Sequence, residues 1–447
     1  MNKFEASQEQ PKDIIKEIEE TKQELELLLN NPEENKEGIF TLSNSLKELN
    51  NILEQEIEEE TEKALSPYKE NPNEIKSEFR PSLLEKLSQD EDENTRALVA
   101  ENPSTPIEIL NRLSKDQSSY VRTIAARNPN TPKQTLEKLS QDENEYVRTN
   151  VAKNPNTSLE TLEELSRDEN DNTRTNVAKN PNTPREILKE LGKSESVLVK
   201  GAVAENPNTP KQTLEKLSQD ENECTRTSVA KNPNTPQYIL EELSSDVSEQ
   251  VREGVAQNPN TSAEILEKLS KDQNIWVRAD VAKNPNTPQY VLEILNKDKF
   301  KDVRAGIALN PSAKEEILKA LSKEGYKNAR AFVAKNPSTP PNILDELSQD
   351  VSAWVRENIA LNPSTKEETL KALSKDRFES IRKSVAKNPN ISPDMLEELS
   401  QDRSSQVRTC IALHPNTSLK LLKELAKDNV YSVKMLALKR IKDYEQI

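Results

Sequence analysis

Asparagine followed by proline recurs every 26 residues, from Asn102-Pro103 to Asn388-Pro389, and His414-Pro415 continues the series in register. No insertion or deletion interrupts it. A period of this size restricts what the chain can fold into. Each unit is too short to bury an apolar face by itself, so units must stack and bury that face against their neighbours. One unit reads Asn-Pro-Asn-Thr-Pro, then x-x-x-Leu-x-x-Leu-Ser-x-Asp, then x-x-x-x-Val-Arg-x-x-Val-Ala-x, with small variations. The first Leu column runs without exception from Leu84 to Leu422 and the second from Leu87 to Leu425, which gives 14 units.

The pattern predicts two short helices per unit. Thr of the Asn-Thr-Pro turn suits the N-cap of helix A, with Pro at its first position. The two leucines, three apart, define one buried face. Helix B follows the Ser-x-Asp segment and buries Val, Val or Ile, and Ala, as in Val147, Val151 and Ala152. It stops at Asn-Pro, because a residue before proline is pushed out of the α region. Such helices are unstable alone, so the stack is the folding unit. This accounts for a composition that would otherwise suggest disorder, 32% hydrophobic and 32% charged. A thin, continuous core needs few apolar residues per unit. The fold expected is an all-α solenoid over residues 76–440, followed by a tail at 441–447.

Two charged columns accompany the leucines. Asp stands at 26-residue steps from Asp90 to Asp428, with Ser194 and Glu324 at two of the steps. Six residues after each comes Arg, from Arg96 to Arg408, with Lys200 and Lys434 completing the column. The joint change at Ser194 and Lys200 suggests that the columns interact. A structural ladder of Arg forks on Asp carboxylates fits them; an exposed Arg track for phosphates is the alternative.

The combination of Asp-x5-Arg, Val-Arg, Val-Ala, Asn-Pro-x-Thr-Pro and paired Leu resembles the bacterial leucine-rich repeat variant family and is similar to short bacterial HEAT-like repeats. The resemblance covers roughly residues 76–440. It implies a right-handed superhelix of short helices, some of them 3₁₀, with helix B lining a concave side. It does not imply one function, because fold does not fix function. The iron–sulfur cluster that members of the family can carry ahead of the repeats is not carried over, since residues 1–75 contain no cysteine.

That N-terminal segment differs from the body. Residues 1–75 hold 20 acidic and 8 basic side chains, a net of −12, against −3 for the remainder of a chain whose total is −15. Ile14, Ile18, Leu25 and Leu28, then Leu42, Leu46, Leu49 and Leu53, repeat by threes and fours on either side of Asn30-Asn31-Pro32. Residues 1–66 therefore read as an acidic helical hairpin with coiled-coil character, and residues 67–75 as a linker. The hairpin is expected to cap the first unit, to self-associate through residues 11–65, or to dock a partner.

Catalytic and metal chemistry finds few residues to work with. His414, the single histidine, replaces a turn Asn, and Cys224 and Cys410 are far apart. Neither a zinc pattern nor a nucleophile–histidine pairing is visible, and there is no Gly-rich phosphate loop. Carboxylates are abundant, but none is singled out. No cofactor is expected, and the chain is read as not an enzyme. The N-terminus lacks the apolar region of a secretory signal and no run of apolar residues is long enough to span a bilayer, so the expected setting is cytoplasmic, without a membrane partner.

Variation concentrates on helix B. One position holds Tyr120, Tyr146, Leu198, Cys224, Gln250, Trp276 and Trp354 in different units. Seven residues on, a column holds Lys153, Lys179, Lys283, Lys335 and Lys387, with Leu309, Leu361 and Leu413 alternating with lysine in the C-terminal half. These positions share a helix face. Aromatics among variable neighbours suit a binding surface, although packing over neighbouring units would explain them too. The function expected is a protein-interaction scaffold binding a partner along the concave face, with a nucleic-acid-binding or DNA-repair solenoid as the alternative. A nearly neutral body favours the first.

Overall fold

A computed structural model describes residues 81–445. The N-terminal hairpin, the linker and the first residues of the repeat region lie outside the described residues. Among the described residues there are 28 helices and no strand, arranged as alternating A and B helices. The chain divides into two compact units, Met1–Val177 and Ala178–Ile447. In the first, helix A is represented by Lys133–Leu139 and helix B by Glu145–Lys153; in the second, by Ala263–Leu269 and Ile275–Lys283. All are α-helical, so the 3₁₀ elements implied by the family resemblance are absent among the described residues. The described part of each compact unit is an all-α solenoid of the kind the repeat demands.

The core is the set of repeat columns. Leu136, Leu139, Val147, Val151 and Ala152 are buried in the first compact unit, and Leu266, Leu269, Val277, Val281 and Ala282 in the second. Helix B packs mainly on the helix B of adjacent repeats, and helix A on the B helices beside it. The B helices approach closely: a Cβ built on Gly306 would come within 2.9 Å of the Ala279 carbonyl oxygen. This explains an Ala column that runs from Ala100 to Ala412 beside the turn.

The turn works differently from its sequence reading. The N-cap position of helix A is Pro, as at Pro132, and it makes no side-chain cap. The preceding Thr131 is fully buried, and its hydroxyl donates back to the Ala125 carbonyl at 2.6 Å, closing the end of the previous helix B. The expected N-cap is thus a C-terminal closure. Pro already fixes the entry geometry, and the helix B carbonyl is the buried group that needs a donor. Where Ser replaces Pro, as at Ser158, its hydroxyl does accept from the Thr161 N–H.

The turn Asn does more than stop a helix. The Asn128 amide donates to the carbonyls of Ala100 and Asn102 in the previous repeat, at 2.7 and 3.0 Å, while its side-chain oxygen accepts from the Asn130 N–H. Asn258 repeats this toward Ala230 and Asn232. His414 fills the same role. Its Nδ1 accepts from the Asn416 N–H and its Nε2 faces the Asn388 carbonyl, both at 3.2 Å, which places the proton on Nε2. The last helix, Tyr431–Glu445, runs five residues past the boundary at 440 taken from the repeat pattern. Arg440 stands at the Asn position and donates to the carbonyls of Leu413 and His414.

Candidate interaction surface

The Arg and Asp columns form a ladder, and its rungs join successive repeats. Arg252 Nε and Nη2 meet both carboxylate oxygens of Asp272, 20 residues on, at 2.7 and 3.1 Å. Its Nη1 donates to the carbonyls of Asp246 and Val247 at 2.8 and 3.3 Å. Thus Arg holds the backbone of its own repeat and the side chain of the next. Asp272 also accepts from the Asn274 N–H, which starts the following helix B. The same pattern recurs from Arg96–Asp116 to Arg408–Asp428, with Glu324 serving Arg304. Phe300 and Phe378 lie over the guanidinium groups of Arg278 and Arg356.

The columns interact, as the joint change at Ser194 and Lys200 suggested, but those two positions are not partners. Lys200 pairs with Asp220, not with position 194, through one contact at 2.5 Å. Arg174, whose carboxylate position 20 residues on is Ser194, bonds to Asp171 on its own helix. The joint change is therefore not the loss of one rung.

Charge behaviour follows from the packing. Burial raises the cost of ionising Asp142, but the Arg122 fork and the Asn144 N–H outweigh it and hold the carboxyl below its ordinary range. Asp246 and Asp402 behave alike. Side-chain exposure in the Arg column runs from 6% at Arg382 to 24% at Arg304. Forks already committed to carboxylates and carbonyls leave little to offer a phosphate track. The cleft beside the ladder lined by Asp402, Arg403, Arg408 and Asp428 is polar, and Arg408 and Asp428 there engage one another.

The variable positions of helix B do lie at the surface. Tyr120, Tyr146, Trp276 and Trp354 are 50%, 65%, 53% and 41% exposed. Lys153, Lys179, Lys283, Lys335 and Lys387 are exposed as well. The position between them does not always share this exposure, since Ala279 is buried. Trp354 meets Phe332 edge-on, with ring centroids 5.8 Å apart, and Lys283 pairs with Asp280 at 2.8 Å. Other exposed apolar groups escaped the sequence reading. Tyr238, Tyr290 and Ile294 on A helices, and Val247 and Val351 in A–B turns, stand outside the repeat columns, and only their departure from those columns could have marked them. Among the described residues no group of His, Cys, Asp or Glu is arranged to hold a metal ion. No described helix is long and apolar enough to cross a membrane.

A family model described as leucine rich repeat variant matches residues 121–144 and 147–170. The chain carries leucine-rich-variant repeats. The leucine-rich-variant columns of the matched segments, Leu136, Leu139, Asp142 and Arg148 among them, recur at the same offsets in the other units. A solved structure titled "A leucine-rich repeat variant with a novel repetitive protein structural motif" is similar at 24% identity, over 50% of this chain and 88% of that one, with a TM-score of 0.36. No curated protein matches the chain.

Proposed function

We propose that the protein is a non-enzymatic scaffold that binds a protein partner along the exposed row of its B helices. The observation that carries this reading is the set of solvated aromatics, Tyr120, Tyr146, Trp276 and Trp354, at the position where repeats otherwise diverge. A column that served only the stack would be uniform, as the Leu, Ala, Asn and Arg columns nearly are. Large rings half in water among polar neighbours are the usual anchors of a protein interface. Occupation of the Arg forks by carboxylates weighs against the nucleic-acid alternative. A cytoplasmic setting and self-association through residues 11–65 belong to the same proposal.

The test is affinity capture with the full chain and with a Trp276→Ala, Trp354→Ala variant, each with and without nuclease. The scaffold reading expects a discrete protein retained after nuclease and lost with the double variant, whose melting temperature stays within about 3 °C of the parent. Recovery of nucleic acid, or loss of every partner on nuclease treatment, would refute it.

A further inference from the structure

We infer that the C-terminal part of the helix-B row binds an acidic peptide in polyproline-II conformation, with apolar side chains placed between the acids; this rests on the scaffold reading above. The last positions of four successive repeats carry Lys335, Leu361, Lys387 and Leu413, in strict alternation. The two lysines are exposed, and Leu361 and Leu413 are 45% and 51% exposed. Neither Lys335 nor Lys387 forms an ion pair among the described residues, in contrast to Lys283 with Asp280. The stack does not require leucine here, since lysine fills the same position in neighbouring repeats. Phe332 and Trp354 add an aromatic wall beside the row.

The spacing selects the ligand's conformation. Stacked helices lie about 8–10 Å apart. A polyproline-II strand has three residues per turn and a rise of about 3.1 Å per residue, so every third side chain points the same way at intervals of about 9 Å. A β-strand alternates sides every residue and would turn the third side chain away. An acid facing Lys335, an apolar residue facing Leu361, an acid facing Lys387 and an apolar residue facing Leu413 then fall at every third residue of one peptide. Such a strand is pre-extended and loses little conformational freedom on binding. A phosphate backbone would use the lysines and leave the leucines in water.

The two tryptophans of the chain, Trp276 and Trp354, both lie on B helices, so Trp276→Phe leaves Trp354 as a single reporter. The probe is the peptide Glu-Pro-Ser-Leu-Pro-Ser-Glu-Pro-Ser-Leu, titrated against the full chain carrying that change. The expected result is a saturable change in Trp354 emission. Binding should weaken about tenfold on Lys335→Glu with Lys387→Glu, and again on Leu361→Ser with Leu413→Ser, at unchanged melting temperature. A shuffled peptide of the same composition that binds equally well overturns the inference. So does an oligothymidylate that displaces the peptide with no effect of the leucine changes. Absence of peptide binding, in a chain that still captures a protein partner through its tryptophans, overturns the peptide class alone; absence of both overturns the scaffold reading as well.

Discussion

Arg252→Ala is the sharpest probe of how the stack is held. The substitution removes two contacts to Asp272 and two to the carbonyls of Asp246 and Val247. The Arg and Asp side chains are only 10% and 9% exposed. The Asp272 carboxylate would be left with just the Asn274 N–H to accept from. Removing one partner of a buried pair costs about 3–5 kcal/mol. Water can reach the edge of this pair, so the lower end applies, about 3 kcal/mol. For a unit as large as Ala178–Ile447 this is a fall of roughly 6–12 °C in melting temperature. Arg252→Lys should lose less, because Lys200 shows that an ammonium can still make a single carboxylate contact. Circular dichroism at 222 nm follows the transition, and a cycle with Asp272→Ala isolates the pair. If Arg252→Ala melts within about 1 °C of the parent, or the cycle gives a coupling below about 0.5 kcal/mol, the ladder does not hold the repeats together.

Other perturbations test the remaining parts of the stack. Asn258→Ala leaves the Ala230 carbonyl without its side-chain donor and the Asn232 carbonyl with the Thr235 N–H alone and should cost about 2 kcal/mol, read by denaturant titration; Asn258→Asp, which points an acceptor at both carbonyls, should cost more. Thr225 is fully buried with its hydroxyl unpaired, where Val stands in most repeats, so Thr225→Val should stabilise by about 1 kcal/mol. His414 gives a pH signature. Burial holds its imidazole below the usual value, so its neutral form is the folded form. The stability it contributes is present above the ordinary histidine value and is lost as pH falls through the lower folded one. His414→Asn should flatten the stability profile between about pH 7 and 5; an unchanged slope there would count against the tautomer assigned. Below that range the ladder carboxylates, lowered in the fold, make stability fall further as pH drops past about 4.

The 26-residue period alone determined the class of fold, the number of repeats and the core columns. Strict spacing leaves one way to bury leucines three apart on a helix too short to stand by itself. The pairing of Arg with Asp was legible too, because two charged columns in one repeat must be satisfied somewhere. The partner of each group was not legible. A repeat sequence places residue 252 six after Asp246 and 20 before Asp272 with equal regularity, and only the stacking vector between repeats selects the second carboxylate. For the same reason Thr131 reads as a helix cap from its neighbours in sequence, yet its hydroxyl turns back to close the previous helix, and Asn128 reads as a turn residue until the carbonyls of the preceding repeat come within reach. The helix-B surface was named from its variability. Which of its residues are solvated, Trp276 but not Ala279, was decided by how closely one helix B lies on the next, a distance that no single repeat encodes.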